Sequence, residues 1–213
     1  MTVGNEGPQD TVEGRTGPWM QTNSGKRFFP GDPRPEDICM NDIANGLALD
    51  CRYGGQGNVN KFYSVAEHCT HLARYVMRED WTSLRNMHRV AFAVLLHDAA
   101  EAYLNDLPRA VKKCLPEYDA LEHSVQTVIE AKYDVAHTAA QFSPYIKTLD
   151  QSIVPLEKAA VHPKGLRWAF DKFEPLPRIQ IGCWSAPEAK EHFLATYATI
   201  CRGLGITPEE YWI

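Results

Sequence analysis

The seven residues Val90-Ala-Phe-Ala-Val-Leu-Leu96 constrain this chain more than any other stretch. As a helix they are apolar on nearly every face, and such a helix must lie inside a core. The run then passes directly into His97-Asp98-Ala-Ala-Glu101. A buried helix ending in a histidine and two carboxylates is costly unless something compensates the charge. A bound metal cation is one natural partner. Asp98 and Glu101, three residues apart, share a helix face. His97 and Asp98 are adjacent and reach one metal together only from a helix edge.

The rest of the chain reads as the helices needed to bury that run. Helical signals are expected over 36–50, from Ser64 to about Arg78, over 86–105, 116–133, 144–161 and 187–203. Ser64-Val-Ala-Glu67 has the capping-box pattern, with Ser64 as N-cap and Glu67 at the third helical position. Asp106-Leu-Pro108 ends the 86–105 helix, because a residue before proline avoids the helical region. Gly203 and Gly205 close the last one. Gly54, Gly55 and Gly57 make 51–63 a loop. Residues 1–17 are expected as a mobile tail, and 18–36, rich in Pro and Gly, as an irregular segment with at most a short hairpin. Strand signals are otherwise few. The expectation is an all-α bundle forming one domain over 18–213, with the C-terminal part as a helical extension.

With 213 residues, the chain is long enough to bury a core without disulfide or metal staples. Twenty-two Lys and Arg against twenty-seven Asp and Glu leave a net charge of −5. That balance argues against gripping long nucleic acid, which requires many cations on phosphates. A small phosphorylated ligand needs only a local basic pocket. The six cysteines are scattered, with no C-x-x-C pair, and read as reduced thiols of a cytoplasmic protein. Neither a secretory signal nor a membrane span is expected.

Further ligands for a metal at His97 and Asp98 are available at His68, early in the Ser64 helix, and at Asp150. The latter stands amid Leu149, Ile153, Val154 and Leu156, where a lone aspartate is expensive. Two imidazoles and two carboxylates suit one divalent transition metal, such as Zn, Co, Mn, Fe or Ni. His71, three residues after His68, reads as structural or as a residue supporting a ligand from behind. His88, His162 and His192 fit no pattern, and Cys69 reads as core.

The order His68, then His97-Asp98, then Asp150 resembles the pattern that names the HD-domain metal-dependent phosphohydrolases. The resemblance extends to Ser64-Val-Ala-Glu-His68, His97-Asp98-Ala-Ala-Glu101 and Asn105-Asp106-Leu-Pro108-Arg-Ala-Val-Lys112. Two branches are most similar. One is the bacterial 5′-deoxynucleotidases, with parallel HD-x-x-E and G-D-L-P-x-x-V-K stretches. The other is the phage dATP triphosphohydrolases, similar also in Gln21-Thr22-Asn-Ser24-Gly25-Lys26, in Asp42-Ile43-Ala44 and in Cys51-Arg52-Tyr53-Gly54-Gly55. The resemblance spans about residues 19–162. It implies an HD-type helical bundle and catalytic roles for Glu101, as acid/base, and Asp106, near the sugar or scissile phosphate. It also implies that Arg52 faces the nucleotide, with Tyr53 where the deoxynucleotidases carry tryptophan. Lys112 and Lys147 are candidate phosphate contacts. The implied activity is hydrolysis of a deoxynucleotide, dATP first and a deoxynucleoside monophosphate second, by a cytoplasmic homo-oligomer. A non-catalytic HD module is the reading from a different class.

Overall fold

The computed structural model describes residues 14, 15, 17–162 and 165–208. Among them, eight α-helices and one two-stranded hairpin form a helical bundle. Strands β1 (Met20–Gln21) and β2 (Arg27–Phe28) pair antiparallel around a turn at Gly25, which takes a left-handed φ of 82°. The hairpin is fastened to helix α1 (Met40–Leu49) by Ser24. Its backbone N–H and its hydroxyl each donate to the Asp42 carboxylate at 2.7 Å.

The core is built from α1, α2 (Val65–Val76), α3 (Leu84–Leu95) and α8 (Ala186–Leu204), with α8 packed on each of the other three and α2 on both α1 and α3. Helix α8 is therefore central to the bundle, and buries Phe193, Tyr197, Ile200 and Cys201. Val90, Val94, Leu95 and Leu96 are fully buried, as their all-round apolar pattern requires. Short helix α4 (Glu101–Leu104) lies against α1 so closely that a Cβ on Gly46 would come 2.4 Å from the Ala102 carbonyl oxygen. Helices α5 (Arg109–Lys112), α6 (Pro116–Lys132) and α7 (Ala136–Val161) complete the wall beside α3.

Three expectations need correction. The helix expected over 86–105 is broken. After Leu95 the backbone tightens into bonds that skip three residues, with Ala99 N–H on Leu96 O, Glu101 N–H on Asp98 O and Ala102 N–H on Ala99 O. The helix expected from 144 begins at Ala136 and carries Pro144 in its interior, where the pattern placed a start. Residues 36–50 split into a 3₁₀ turn at Pro35–Asp37 and α1.

The tail expected over 1–17 falls largely outside the described residues. Arg15 within it is buried, donating to Asp37 at 2.9 Å with its guanidinium 4.0 Å from the Phe29 ring. No helix among the described residues is long and apolar enough to cross a membrane.

Candidate metal centre

The break after α3 is what lets adjacent residues act together. On a continuous helix His97 and Asp98 would diverge by about 100°. Here the tightened turn directs both inward: His97 Nε2 lies 3.2 Å from Asp98 Oδ2. The turn is closed by one side chain from α6. The Gln126 amide donates to Leu96 O at 2.8 Å and accepts from the Ala100 N–H at 3.1 Å. It thus satisfies two backbone groups released by the break.

His68 reaches the same point from α2. Ser64 caps that helix as expected, accepting the Glu67 N–H at 3.1 Å. Glu67 does not return the bond. Its buried carboxylate instead accepts the backbone N–H groups of Gly182, Cys183 and Trp184 at 2.6–3.0 Å, which anchors the approach to α8. His71 leans on Glu67 at 3.2 Å and on Trp184, a structural place as expected.

His68 Nε2 stands 3.4 Å from His97 Nε2, 3.7 Å from Asp98 Oδ2 and 3.4 Å from Asp150 Oδ1. Ligand atoms about 2.1 Å from a common metal are separated by ~3.0–3.4 Å. The donor set thus has nearly the spacing of a coordination sphere. His68, His97 and Asp98 have ligand atoms all within 4.8 Å of one another. Asp150, on α7, is added through its approach to His68.

The imidazoles are oriented for this role. His97 Nδ1 is 2.8 Å from Val94 O, and His68 Nδ1 is 2.6 Å from Glu157 Oε1. Each Nδ1–H is thereby used outward, which leaves each Nε2 lone pair facing the centre. The donors and their outward anchors fit a divalent transition ion.

Glu157 is the main residue that the sequence reading missed. It is fully buried on α7, and accepts from the Tyr63 hydroxyl at 2.8 Å, from the Tyr53 hydroxyl and from His68. Burial alone would raise its pKa, but the Arg52 guanidinium and His68 outweigh that and hold it at about 2. A signal was present: Glu157 stands seven residues, two helical turns, after Asp150, on the same face.

Arg52 lies among three carboxylates, 3.5 Å from Asp98, 3.9 Å from Asp150 and 3.6 Å from Glu157. It is presented by the loop 51–63, whose neck is closed by an antiparallel bridge between Cys51 and Ser64 and by the Arg52 N–H on Tyr63 O. Tyr53 and Gly54 take left-handed φ values of 62° and 59°. This coils the loop tightly enough for Tyr53 to reach Glu157.

Glu101 is buried beside this centre. Burial and the charges of Asp98 and Asp106 raise its pKa well above the usual range, against the opposing pull of Lys112. Its Oε1 accepts from Lys112 Nζ at 3.0 Å, while its Oε2 is buried with no hydrogen-bond partner. Lys112 also pairs with Glu122 at 2.6 Å, so its charge is already shared by two carboxylates. Asp106 faces the Tyr53 N–H at 3.4 Å, and its own N–H is held by Asp50.

These groups open onto a cavity of about 560 Å³. It is lined by Arg52, Tyr53, Asp98, Glu101, Asp106, Lys112 and Asp150, and by residues that the sequence reading did not single out, notably Arg109, Trp168 and Phe170. The size is that of a small-molecule site. Lys147 is not part of the lining and stands exposed on α7, so its expected phosphate contact is not supported.

Over 198 residues the chain is 30% identical to an uncharacterized protein of Rhodobacter capsulatus, a match covering 87% of this chain and 97% of that one. The chain belongs to the same family as that protein. It is also 37% identical over 115 residues to the uncharacterized protein YfdR of Escherichia coli. That match takes in 54% of this chain and little more than half, 58%, of the E. coli protein. No family model matches the sequence.

Proposed function

We propose that this protein is a metal-dependent phosphohydrolase acting on a small nucleotide. The observation carrying the reading is the convergence of His68, His97, Asp98 and Asp150 beside a cavity that also contains Glu101. His68 and His97 direct their Nε2 atoms toward one another and toward Asp98, and Asp150 closes the set from α7. A divalent ion held there would activate a water and polarise a phosphoryl oxygen.

The remaining chemistry belongs to the chain. Glu101 is positioned by Lys112 and has a free oxygen, Oε2, on which to hold a proton. It takes a proton from the attacking water, or gives one to the leaving oxygen, as a P–O bond to water forms and the ester P–O bond breaks. Arg52 supplies positive charge toward the phosphoryl group. Asp106 lies at the cavity wall, where the sugar or the scissile phosphate would pass.

Deoxynucleoside triphosphate, dATP first, is the substrate suggested by the sequence resemblance upstream of the centre. A monophosphate is favoured by one structural observation. Of the three cations lining the cavity, Arg52 and Lys112 are already paired with carboxylates, leaving Arg109 as the lining cation without an ion pair among the described residues. A triphosphate would require more positive charge.

Ion-exchange analysis of products from dATP, dGTP and dAMP, with Mn²⁺ or Co²⁺, separates the two. Deoxyadenosine with intact tripolyphosphate identifies a triphosphohydrolase. Loss of dAMP with dATP untouched identifies a 5′-nucleotidase. No turnover of any nucleotide by metal-loaded protein would overturn the proposal. Glu101→Gln should retain the metal and lose roughly 10²–10⁴-fold in kcat, the usual share of acid/base catalysis.

A further inference from the structure

The cavity lining divides by chemistry. Asp98, Glu101, Asp106, Arg52 and Lys112 are ionic and adjoin the metal centre. Trp168 and Phe170 are aromatic, and come from a segment after α7 that no motif of the sequence accounts for. A ligand matching both parts has an anionic end and a flat, unsaturated end.

The aromatic segment is held in place. Lys158 on α7 grips both oxygens of Asp171 at 2.7 and 2.6 Å, and Asp171 in turn accepts the Trp168 N–H at 2.8 Å. The Trp168 ring meets His162 edge-on at 4.7 Å and Tyr53 at 5.6 Å between centroids. Tyr53 donates to Glu157, which holds His68. A continuous set of contacts thus fixes the position of Trp168 relative to the metal ligands. The Phe170 ring is half-buried, with the exposed Arg109 guanidinium 5.7 Å from its centroid. Aromatic rings and guanidinium planes are the two surfaces on which proteins stack unpaired bases.

We infer that Trp168 and Phe170 form the nucleobase wall of this cavity. The inference rests on the nucleotide reading above and names the residues that would make the substrate a nucleotide instead of a simple phosphate ester. Among the described residues, apart from Tyr53, whose hydroxyl is taken by Glu157, the lining side chains include no hydroxyl or amide. The base is therefore gripped by its face more than by its edge.

The test compares a nucleotide with 2-deoxyribose 5-phosphate, which has no base, in the metal-loaded full chain. Phe170→Leu keeps apolar bulk and removes the ring. It is expected to lower the ratio of kcat/KM for nucleotide over sugar phosphate about tenfold, mainly through KM, and Phe170→Tyr should restore the ratio. Trp168→Leu should act in the same direction. An unchanged ratio in both Leu variants would overturn the wall. If the wild-type chain hydrolyses no nucleotide, the functional reading fails separately. The wall is then decided by calorimetric titration with adenosine. Binding that Phe170→Leu weakens about tenfold supports it, and absence of binding, or binding that the variant leaves unchanged, overturns it.

Discussion

At the scale of single residues, the centre depends on side chains that would not touch a metal themselves. Glu157 orients His68 and shares its charge with Arg52 and two tyrosine hydroxyls. Replacing such a partner typically weakens metal affinity about 10–100-fold. Glu157→Gln should therefore show a weaker Zn²⁺ or Mn²⁺ titration with all the ligands present, and unchanged affinity would remove Glu157 from the site. Asp50 presents a different case. Burial, with the nearby charge of Asp106, raises its pKa from 3.8 to about 6, against its hydrogen bonds to the Asp106 N–H and to Asn105. A carboxyl raised in the folded state favours folding fully below its unfolded pKa and loses that contribution as pH rises through the folded value. Asp50→Asn can still accept the Asp106 N–H and cannot ionise. It should match wild type below pH 4 and exceed it by about 2 kcal/mol above pH 7, the shift being discounted for solvent screening. Urea denaturation at both pH values measures the difference. The convergence of His97, Asp98, Glu101 and Asp150 was legible in the sequence because a titratable side chain set in an apolar run requires a compensating partner, whereas His68 was reached through the order it shares with the HD pattern. Glu157 obeys the same rule, but the adjacent Lys158 gives that turn of α7 the pattern of a solvated face. Lys147 shows the converse: a cation near a ligand in sequence lies on the outer face of α7.

At the scale of elements, the informative feature is the break between α3 and α4. Periodicity reads this stretch as one helix because the apolar residues continue through Ala99 and Ala100, both buried. Nothing local announces the change from bonds spanning four residues to bonds spanning three. Its cause is distant in sequence: the Gln126 amide on α6 stabilises the released backbone groups. Gln126→Ala leaves the Ala100 N–H without its partner and Leu96 O with the Ala99 N–H alone, and is expected to cost about 1–2 kcal/mol. It should also loosen the metal, since the turn sets the relation of His97 to Asp98. Equal stability of variant and wild type in urea would show the turn to be stable by itself. Helix α7 hid its first two turns for a simpler reason, as Pro144 is more often a helix start than an interior residue.

For the whole molecule, the four candidate ligands come from three places, α2, the turn after α3, and α7, spread over positions 68–150. The unfolded chain offers no comparable site, so an ion held there would link its binding to folding. Stripping with a chelator should lower Tm, and adding metal to 100 times its Kd should restore about 2.7 kcal/mol. A Tm indifferent to metal would argue against a site assembled by the fold. The bundle itself was legible because its helices carry strong apolar periodicity. The central place of α8 was not, since an amphipathic helix at the end of a chain reads the same whether it fills the core or caps it.

The bridge that closes the neck of the loop at Cys51 and Ser64 has a consequence for divergence within the family. The Asn58 N–H is tied to Val161 O at 2.7 Å, but Val59 beyond it is almost wholly exposed. Arg52 and Tyr53 are held from the neck side, so the tip is free to lengthen without moving them. Each doubling of a loop costs only about 0.6 kcal/mol in closure entropy. Length differences between relatives in this region should therefore gather between positions 59 and 62. There evolution can remodel the outer face of the loop while leaving the two side chains it presents to the cavity in place.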